Sequence, residues 1–266
     1  IDLGTSAVKL LLMNEAGEIL HVVSRDYPLE FPRPGWSQQN PADWQKAVWE
    51  GIPLLLEGFD GSQVAGIGAG GQMHGLVVLD EEDRVIRPAI LWNDGRTAKQ
   101  VTDLNETVGR DRLSQWTANI AFAGFTAPKL LWMREQEPEL FARIKKVMLP
   151  KDYIRYRLTG TIGSDFSDAC ATLAFSVKGR CWCMELIRRA GLKEDIWPQV
   201  GESSQAAGHV WAEAAARTGL SGHTRVVYGA GDSSAQLTGN GVIEEGIMAC
   251  NIGTASQLAA VVDRPL

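Results

Sequence analysis

The sequence predicts an α/β fold, and three observations carry that prediction. Residues 8–13 and 19–24 are β-rich runs separated by Asn14-Glu15-Ala16-Gly17, a turn composition. With residues 1–3 they read as three consecutive strands joined by short turns. Next comes an amphipathic helix. Asn40 is a good N-cap, Pro41 suits the first helical position, and Trp44, Val48, Ile52 and Leu55 form an apolar stripe at helical spacing. The third observation is the short, Gly-rich apolar strand at 64–69. Three strands, a helix and a strand is the order of a ribonuclease-H-like domain, the unit of actin-like ATPases and hexokinase-type kinases.

Strand and helix continue to alternate to the end. Residues 128–134 read as a helix, 146–149 as a strand, and 152–158 as a helix closed by Gly160. Residues 225–229 are a strand, and 233–237 a short helix stopped by Gly239. Residues 246–262 return to strand, turn, strand with Gly253-Thr254 at the turn, the polarity of the opening segment. The expected organisation is therefore one domain over 1–240 and the beginning of a second of the same type over 241–266. The chain opens at Ile1 directly before the Asp2 turn, without an initiator Met, and closes inside an apolar run, so both ends read as cut.

Composition narrows the function classes. A chain of 266 residues, 45% hydrophobic and 22% charged, buries a core without staples. A net charge of −6 argues against nucleic acid as a partner, because phosphate backbones need a basic face. No apolar run reaches membrane-span length and no secretory leader is visible. Cys170, Cys181, Cys183 and Cys250 are too few and too unevenly placed for a disulfide scaffold, which points to free thiols in a reducing cytoplasm.

Several polar clusters sit where chemistry would be placed. In Asp2-Leu3-Gly4-Thr5-Ser6, a strand-end Asp and a tight turn offer N–H groups and a hydroxyl to phosphate oxygens, and Asp2 can hold magnesium through water. The same residues also make an ordinary hairpin turn. Asn251-Ile252-Gly253-Thr254-Ala255-Ser256 is a similar turn, and two such turns across a cleft would grip one triphosphate tail. In Gly229-Ala230-Gly231-Asp232-Ser233-Ser234, a Gly-flanked Asp opens a helix. It reads either as a plain N-cap, worth about 1 kcal/mol, or as a base that accepts a proton from a substrate hydroxyl. Beside the two phosphate turns, the base is the favoured reading. Gln72, Met73 and His74 lie between glycines at the C-terminal end of a strand, where α/β folds place ligands, and they suit a sugar, although a lone His is more often structural and Met73 could simply fill core. In Trp92-Asn93-Asp94-Gly95-Arg96 the Trp would stack on a sugar face. Asp94 and Arg96 would bond hydroxyls or each other.

Taken in order, these segments resemble the xylulokinases of the FGGY carbohydrate kinase family. The resemblance rests on Asp2-Leu3-Gly4-Thr5-Ser6, Gly71-Gln72-Met73-His74-Gly75 and Leu91-Trp92-Asn93-Asp94-Gly95-Arg96. Two further segments extend it, Gly124-Phe125-Thr126-Ala127-Pro128-Lys129-Leu130-Leu131-Trp132 and Leu149-Pro150-Lys151-Asp152-Tyr153. It implies that the opening turn (Asp2, Gly4, Thr5, Ser6) and the Gly253-Thr254 turn bind ATP phosphates, with magnesium at Asp2. It further implies that Met73 and His74 contact a ketose and that Asp232 is the catalytic base. Gln72, Trp92, Asp94 and Ser233 complete the expected sugar side. A homodimer is expected at the family level only. Family members are longer than this chain, so the chain alone is expected to keep much of the sugar site, bind ATP weakly and lack activity.

Two departures bear on specificity. Ser233 follows Asp232 where Asn is frequent in the family, which leaves the preferred ketose open, and Gly-Thr-Ala-Ser stands where Gly-Thr-Ser-Gly is common. Three other readings compete. One is a kinase of the same fold for another polyol or sugar acid. The second is an actin-like or chaperone-type ATPase, against which Asp232 and the Trp92 segment weigh. The third is a sugar-binding regulator without catalysis.

Overall fold

The computed structural model describes residues 1–252 and 256–264. A five-stranded mixed sheet organises it. β1 (Asp2–Leu3), β2 (Ala7–Met13) and β3 (Ile19–Asp26) form an antiparallel meander, α1 (Pro41–Leu55) follows, and β4 (Gly70–Gly71) and β5 (Ala230–Gly231) lie parallel to β1. The spatial order is β5-β4-β1-β2-β3. The predicted sequence of three strands, helix and strand is present.

α1 starts where its capping chemistry predicts. The Asn40 side chain accepts from the Ala42 N–H at 3.1 Å, and Pro41 occupies the first turn. Its apolar stripe (Trp44, Val48, Ile52, Leu55) is buried against Leu3, Val8 and Leu10 of the sheet. Strand alternation then leaves Lys9 and Leu11 of β2 on the opposite, open face.

The predicted strand at 64–69 is shorter, Gly66–Ile67, and a further strand follows it. Gly66–Ile67 pairs with Arg225–Val227 in a separate sheet, and only Gly70–Gly71 joins β1. Glycines at 66, 68, 70 and 71 give the backbone the freedom to turn between the two sheets.

A second core lies beyond the central sheet. α2 (Thr126–Gln136) buries Leu130 and Met133 against Leu76, Val78 and Ile90. α3 (Pro150–Thr159) begins on Pro150 and ends at Gly160 with φ +71°, a left-handed C-cap. The short α4 (Phe166–Ala169) packs beneath β5, and α5 (Asp232–Gly239) leads away from it. A last hairpin, β6 (Met248–Ile252) and β7 (Ser256–Ala260), pairs only with itself among the described residues. Gly253 and Thr254 lie outside the described residues. Among the described residues, no helix is long and apolar enough to cross a membrane.

Candidate active site

The parallel strands end side by side. Asp2 is in register with Gly70, and Gly70 with Ala230, so β1, β4 and β5 release their following loops at one edge of the sheet. Those loops carry Gly4-Thr5-Ser6, Gln72-Met73-His74 and Asp232. The close packing needs glycine at two points. Gly229 has φ +80°, and a Cβ there would lie 1.9 Å from the Ala69 carbonyl oxygen. A Cβ on Gly231 would lie 2.8 Å from Met73 Cγ and Sδ, so Met73 occupies the space that Gly231 leaves.

The opening turn is closed by Gly4 N–H donating to the Ala7 carbonyl at 3.0 Å, and the Tyr27 hydroxyl donates to the Gly4 carbonyl. The Thr5 and Ser6 N–H groups have no protein acceptor among the described residues, as a phosphate-binding turn requires. The Thr5 hydroxyl accepts from Trp92 Nε1 at 3.0 Å and lies 3.5 Å from Gln72 Oε1. Gln72 is 2% exposed, and its amide donates to Gln39 Oε1 at 3.1 Å and the Gly4 carbonyl at 3.4 Å. It supports the turn from behind.

Of the residues expected to meet a sugar, Met73 and His74 are half-buried and Trp92 is exposed. His74 is fixed from three directions. Its φ is +66°, and its carbonyl accepts from Thr126 Oγ1 at 3.0 Å and Lys129 Nζ at 2.8 Å. Its Nδ1 bonds the Ala171 carbonyl at 2.7 Å. A carbonyl only accepts, so Nδ1 carries the proton and Nε2 is left as an acceptor. Burial lowers the His74 pKa, Ala171 opposes that, and the Lys129 ammonium adds to it. Asp94 has a different setting. It is 1% exposed, with its oxygens engaged by Arg96 at 2.7–2.9 Å and by the Ser37 N–H at 2.6 Å. Its placement follows the Asp–Arg pairing that the sequence offered as the alternative to a sugar contact.

Asp232 opens α5 on a cleft of about 670 Å³ that Asp2, Gly4, Lys9, Ser233 and Asn251 also line. Burial raises the Asp232 pKa, hydrogen bonds from Ser233 oppose this, and the Asp2 charge adds to it. The Ser233 N–H reaches Asp232 Oδ1 at 2.6 Å and its hydroxyl at 3.4 Å, leaving Oδ2 without a protein partner among the described residues. A carboxylate so held, beside a turn with free N–H groups, can take a proton from a hydroxyl while phosphate sits opposite.

The N-terminal-domain family model for FGGY carbohydrate kinases matches residues 1–239. The chain belongs to the FGGY family of carbohydrate kinases. It is 41% identical over 263 residues to the xylulose kinase of Lactococcus lactis subsp. lactis (strain IL1403), across 98% of this chain and 52% of that protein. Among solved structures, a xyloylose kinase from Brucella ovis superimposes with TM-score 0.92 at 43% identity, covering 97% of this chain and 53% of that one. A gluconate kinase from Lactobacillus acidophilus superimposes with TM-score 0.95 at 28% identity, covering 100% of this chain and 54% of that one. The chain spans about half the length of the curated relatives it matches.

The FGGY domain also holds groups that the sequence did not single out. Lys9 is the register partner of Asp2 and lines the same cleft, and strand alternation on β2 was the available signal. Beneath β5 lies a fully buried ionic cluster. Lys151 Nζ is 2.6 Å from Asp152 Oδ1, 2.9 Å from Asp165 Oδ1 and 3.5 Å from Asp168 Oδ2, all with side chains at 0% exposure. Burial works against the Lys151 charge, but the three carboxylates outweigh it and hold the ammonium above its ordinary range. Burial also works against Asp165, which Lys151, Ser167 and Ser203 nevertheless keep below the ordinary carboxylate range. Asp168 goes the other way. Burial raises it well above that range against Lys151, with Asp152, Asp165 and Asp232 adding to the rise, and neither of its oxygens has a hydrogen-bond partner among the described residues.

Proposed function

We propose that this chain is the sugar-binding half of an ATP-dependent kinase that phosphorylates the terminal hydroxyl of a ketopentose, converting D-xylulose to D-xylulose 5-phosphate. In this reading residues 1–240 are the N-terminal domain and 241–266 open a C-terminal domain that completes the ATP site. The observation that carries it is the convergence of Asp232, Asp2 and Gly4, the first residue of the opening turn, on one cleft at the ends of three parallel strands. Residues about 40% identical to named xylulose kinases, aligned over nearly the whole chain, supply the substrate class.

The residues fit a metal-bound triphosphate. Asp2 is exposed on the cleft with no ion-pair partner among the described residues, Lys9 lies beside it, and the Thr5 and Ser6 N–H groups are free. A magnesium ion that keeps waters and phosphate oxygens needs few protein ligands. Magnesium would neutralise charge on the transferring phosphoryl group, and Asp2 would hold it through water.

Chemistry on this chain then reduces to positioning and one proton. Trp92, Met73 and the His74 Nε2 acceptor orient the sugar. Asp232 takes the proton of the terminal hydroxyl as its oxygen bonds to the γ-phosphorus and the bond from γ-phosphorus to the β–γ bridging oxygen breaks. The gluconate kinase likeness raises a sugar acid as a second substrate class. Of the side chains expected on the sugar side only Asp94 is charged, an anion paired with Arg96, and the buried Lys129 donates to the His74 and Gly124 carbonyls, so none offers a cation to a carboxylate. A ketose is the better fit. The four free cysteines agree with a cytoplasmic enzyme.

The test is ADP release by the complete kinase, meaning this chain within a polypeptide of its relatives' length, against ketoses, polyols and sugar acids. Turnover with D-xylulose above the other sugars is expected. Turnover only with a sugar acid would move the substrate class, and none with any sugar would leave a binding module. The 266 residues alone are expected to bind ketose and to turn over no ATP.

A further inference from the structure

We propose that Ser167 is a positioning residue for Asp232, acting through the Gly231 N–H. This deepens the kinase reading and rests on it. β5 is the edge strand of the central sheet, and the Ala230 N–H points inward to the Ala69 carbonyl at 3.0 Å. Alternation turns the next N–H, on Gly231, outward to the edge, where no strand receives it. Ser167 Oγ receives it instead, at 3.2 Å. This is the last backbone donor before Asp232.

The acceptor is itself held in place. The Ser167 hydroxyl donates to Asp165 Oδ2 at 2.6 Å, and that oxygen also accepts the Ser167 N–H and the Ser203 hydroxyl, each at 2.8 Å. Asp165 Oδ1 is 2.9 Å from Lys151 Nζ. Ion-paired to a fully buried ammonium, Asp165 anchors a directional chain that runs through Ser167 to the peptide that aims the base. With its own proton donated to a carboxylate, the Ser167 oxygen is a better acceptor for Gly231 than a free hydroxyl would be. The other side of the same peptide is fixed by Met73, which fills the space at Gly231. Base and sugar contact are thus set against one another from two sides of a residue without a side chain.

Removing the Ser167 hydroxyl leaves the Gly231 N–H unpaired and frees the turn that points Asp232. Misplacement of a reacting group by about an ångström costs on the order of 100-fold in rate, while ground-state binding of the sugar needs no such precision.

The test compares wild type, Ser167→Ala and Ser167→Thr in the complete kinase with D-xylulose and ATP, by steady-state kinetics and thermal unfolding. For Ser167→Ala, kcat should fall by about 10- to 100-fold with KM for the ketose within about three-fold, and Ser167→Thr, which keeps the hydroxyl, should restore most of kcat. The inference is overturned by an unchanged kcat in the Ala variant, by a loss confined to KM, or by a Thr variant no better than Ala. An inactive wild type would instead contradict the kinase reading itself. Titration of D-xylulose then still reads this inference, because a positioning role predicts equal affinity in wild type and Ser167→Ala and a change in affinity would overturn it.

Discussion

The indole Nε1 of Trp92 donates to the Thr5 hydroxyl at 3.0 Å, so the proposed sugar side and the proposed phosphate turn of this FGGY domain share a hydrogen bond. Thr5 lies in the turn after β1, and Trp92 comes from a loop far along the chain, with its side chain exposed. A sugar stacked on the indole would therefore rest on a ring held by the same residue that shapes the phosphate turn.

Trp92→Phe keeps an aromatic face and removes only that donor. In the complete kinase we expect kcat/KM for the ketose to fall about five-fold, roughly the 1 kcal/mol of one net hydrogen bond. Trp92→Ala, which also removes the ring, should lose more. Steady-state kinetics on both variants checks the order.

Gly231→Ala introduces a Cβ against Met73 Cγ and Sδ. The displaced Met73 should raise the ketose KM by on the order of ten-fold, and overpacking should cost about 1–3 kcal/mol of stability. Kinetics and denaturant unfolding measure the two effects separately.

Why these relationships escape a reading of the sequence is clear from particular residues. Asn40 with Pro41, Gly160 after α3, and the alternation of Val8 and Leu10 are local signals, and the elements they define form where predicted. The ends of elements are less legible. The run at 64–69 reads as one strand, yet only Gly66–Ile67 of it is strand, in a separate sheet, and the strand beside β1 starts after it at Gly70. The Ser164-Asp165-Phe166-Ser167-Asp168 stretch looks like a solvated turn, because nothing local shows that Lys151 will be buried beneath it. Lys129 left a faint signal, a cation inside the apolar run 127–133. Asp94 and Arg96 were legible as a pair, and burial decides between their two readings.

The buried cluster predicts opposite responses from two neighbouring carboxylates. Asp165 has a lowered pKa in the fold, so its stabilisation is present above the ordinary aspartate range and lost as pH falls through the folded value. Asp165→Asn should cost about 3–5 kcal/mol at neutral pH. Asp168 has a raised pKa, so the folded chain keeps a proton that the unfolded chain releases, and stability falls as pH rises from about 4. Asp168→Asn escapes that fall. Its Tm relative to wild type should climb with pH, whereas a constant difference would contradict a neutral Asp168.

His74 predicts a flat region in sugar binding. Its pKa is lowered, so the ring stays neutral and Nε2 stays an acceptor to lower pH than an ordinary histidine allows. Calorimetric titration of D-xylulose should give an affinity that weakens only below the ordinary histidine value near 6.5. Affinity that weakens from about pH 7 would assign the ring a protonated state that this geometry does not support.

The central claim is that Asp232 is the base of a ketose kinase. It is tested most directly by ADP release from the complete kinase with D-xylulose and ATP, comparing wild type with Asp232→Asn. The account predicts wild-type turnover and a fall in kcat of about 10²- to 10⁴-fold in the variant, with the sugar still bound. It also predicts an acid limb of the wild-type rate above the ordinary aspartate value, since burial raises the Asp232 pKa. An Asp232→Asn enzyme that turns over D-xylulose at a rate close to wild type would contradict it.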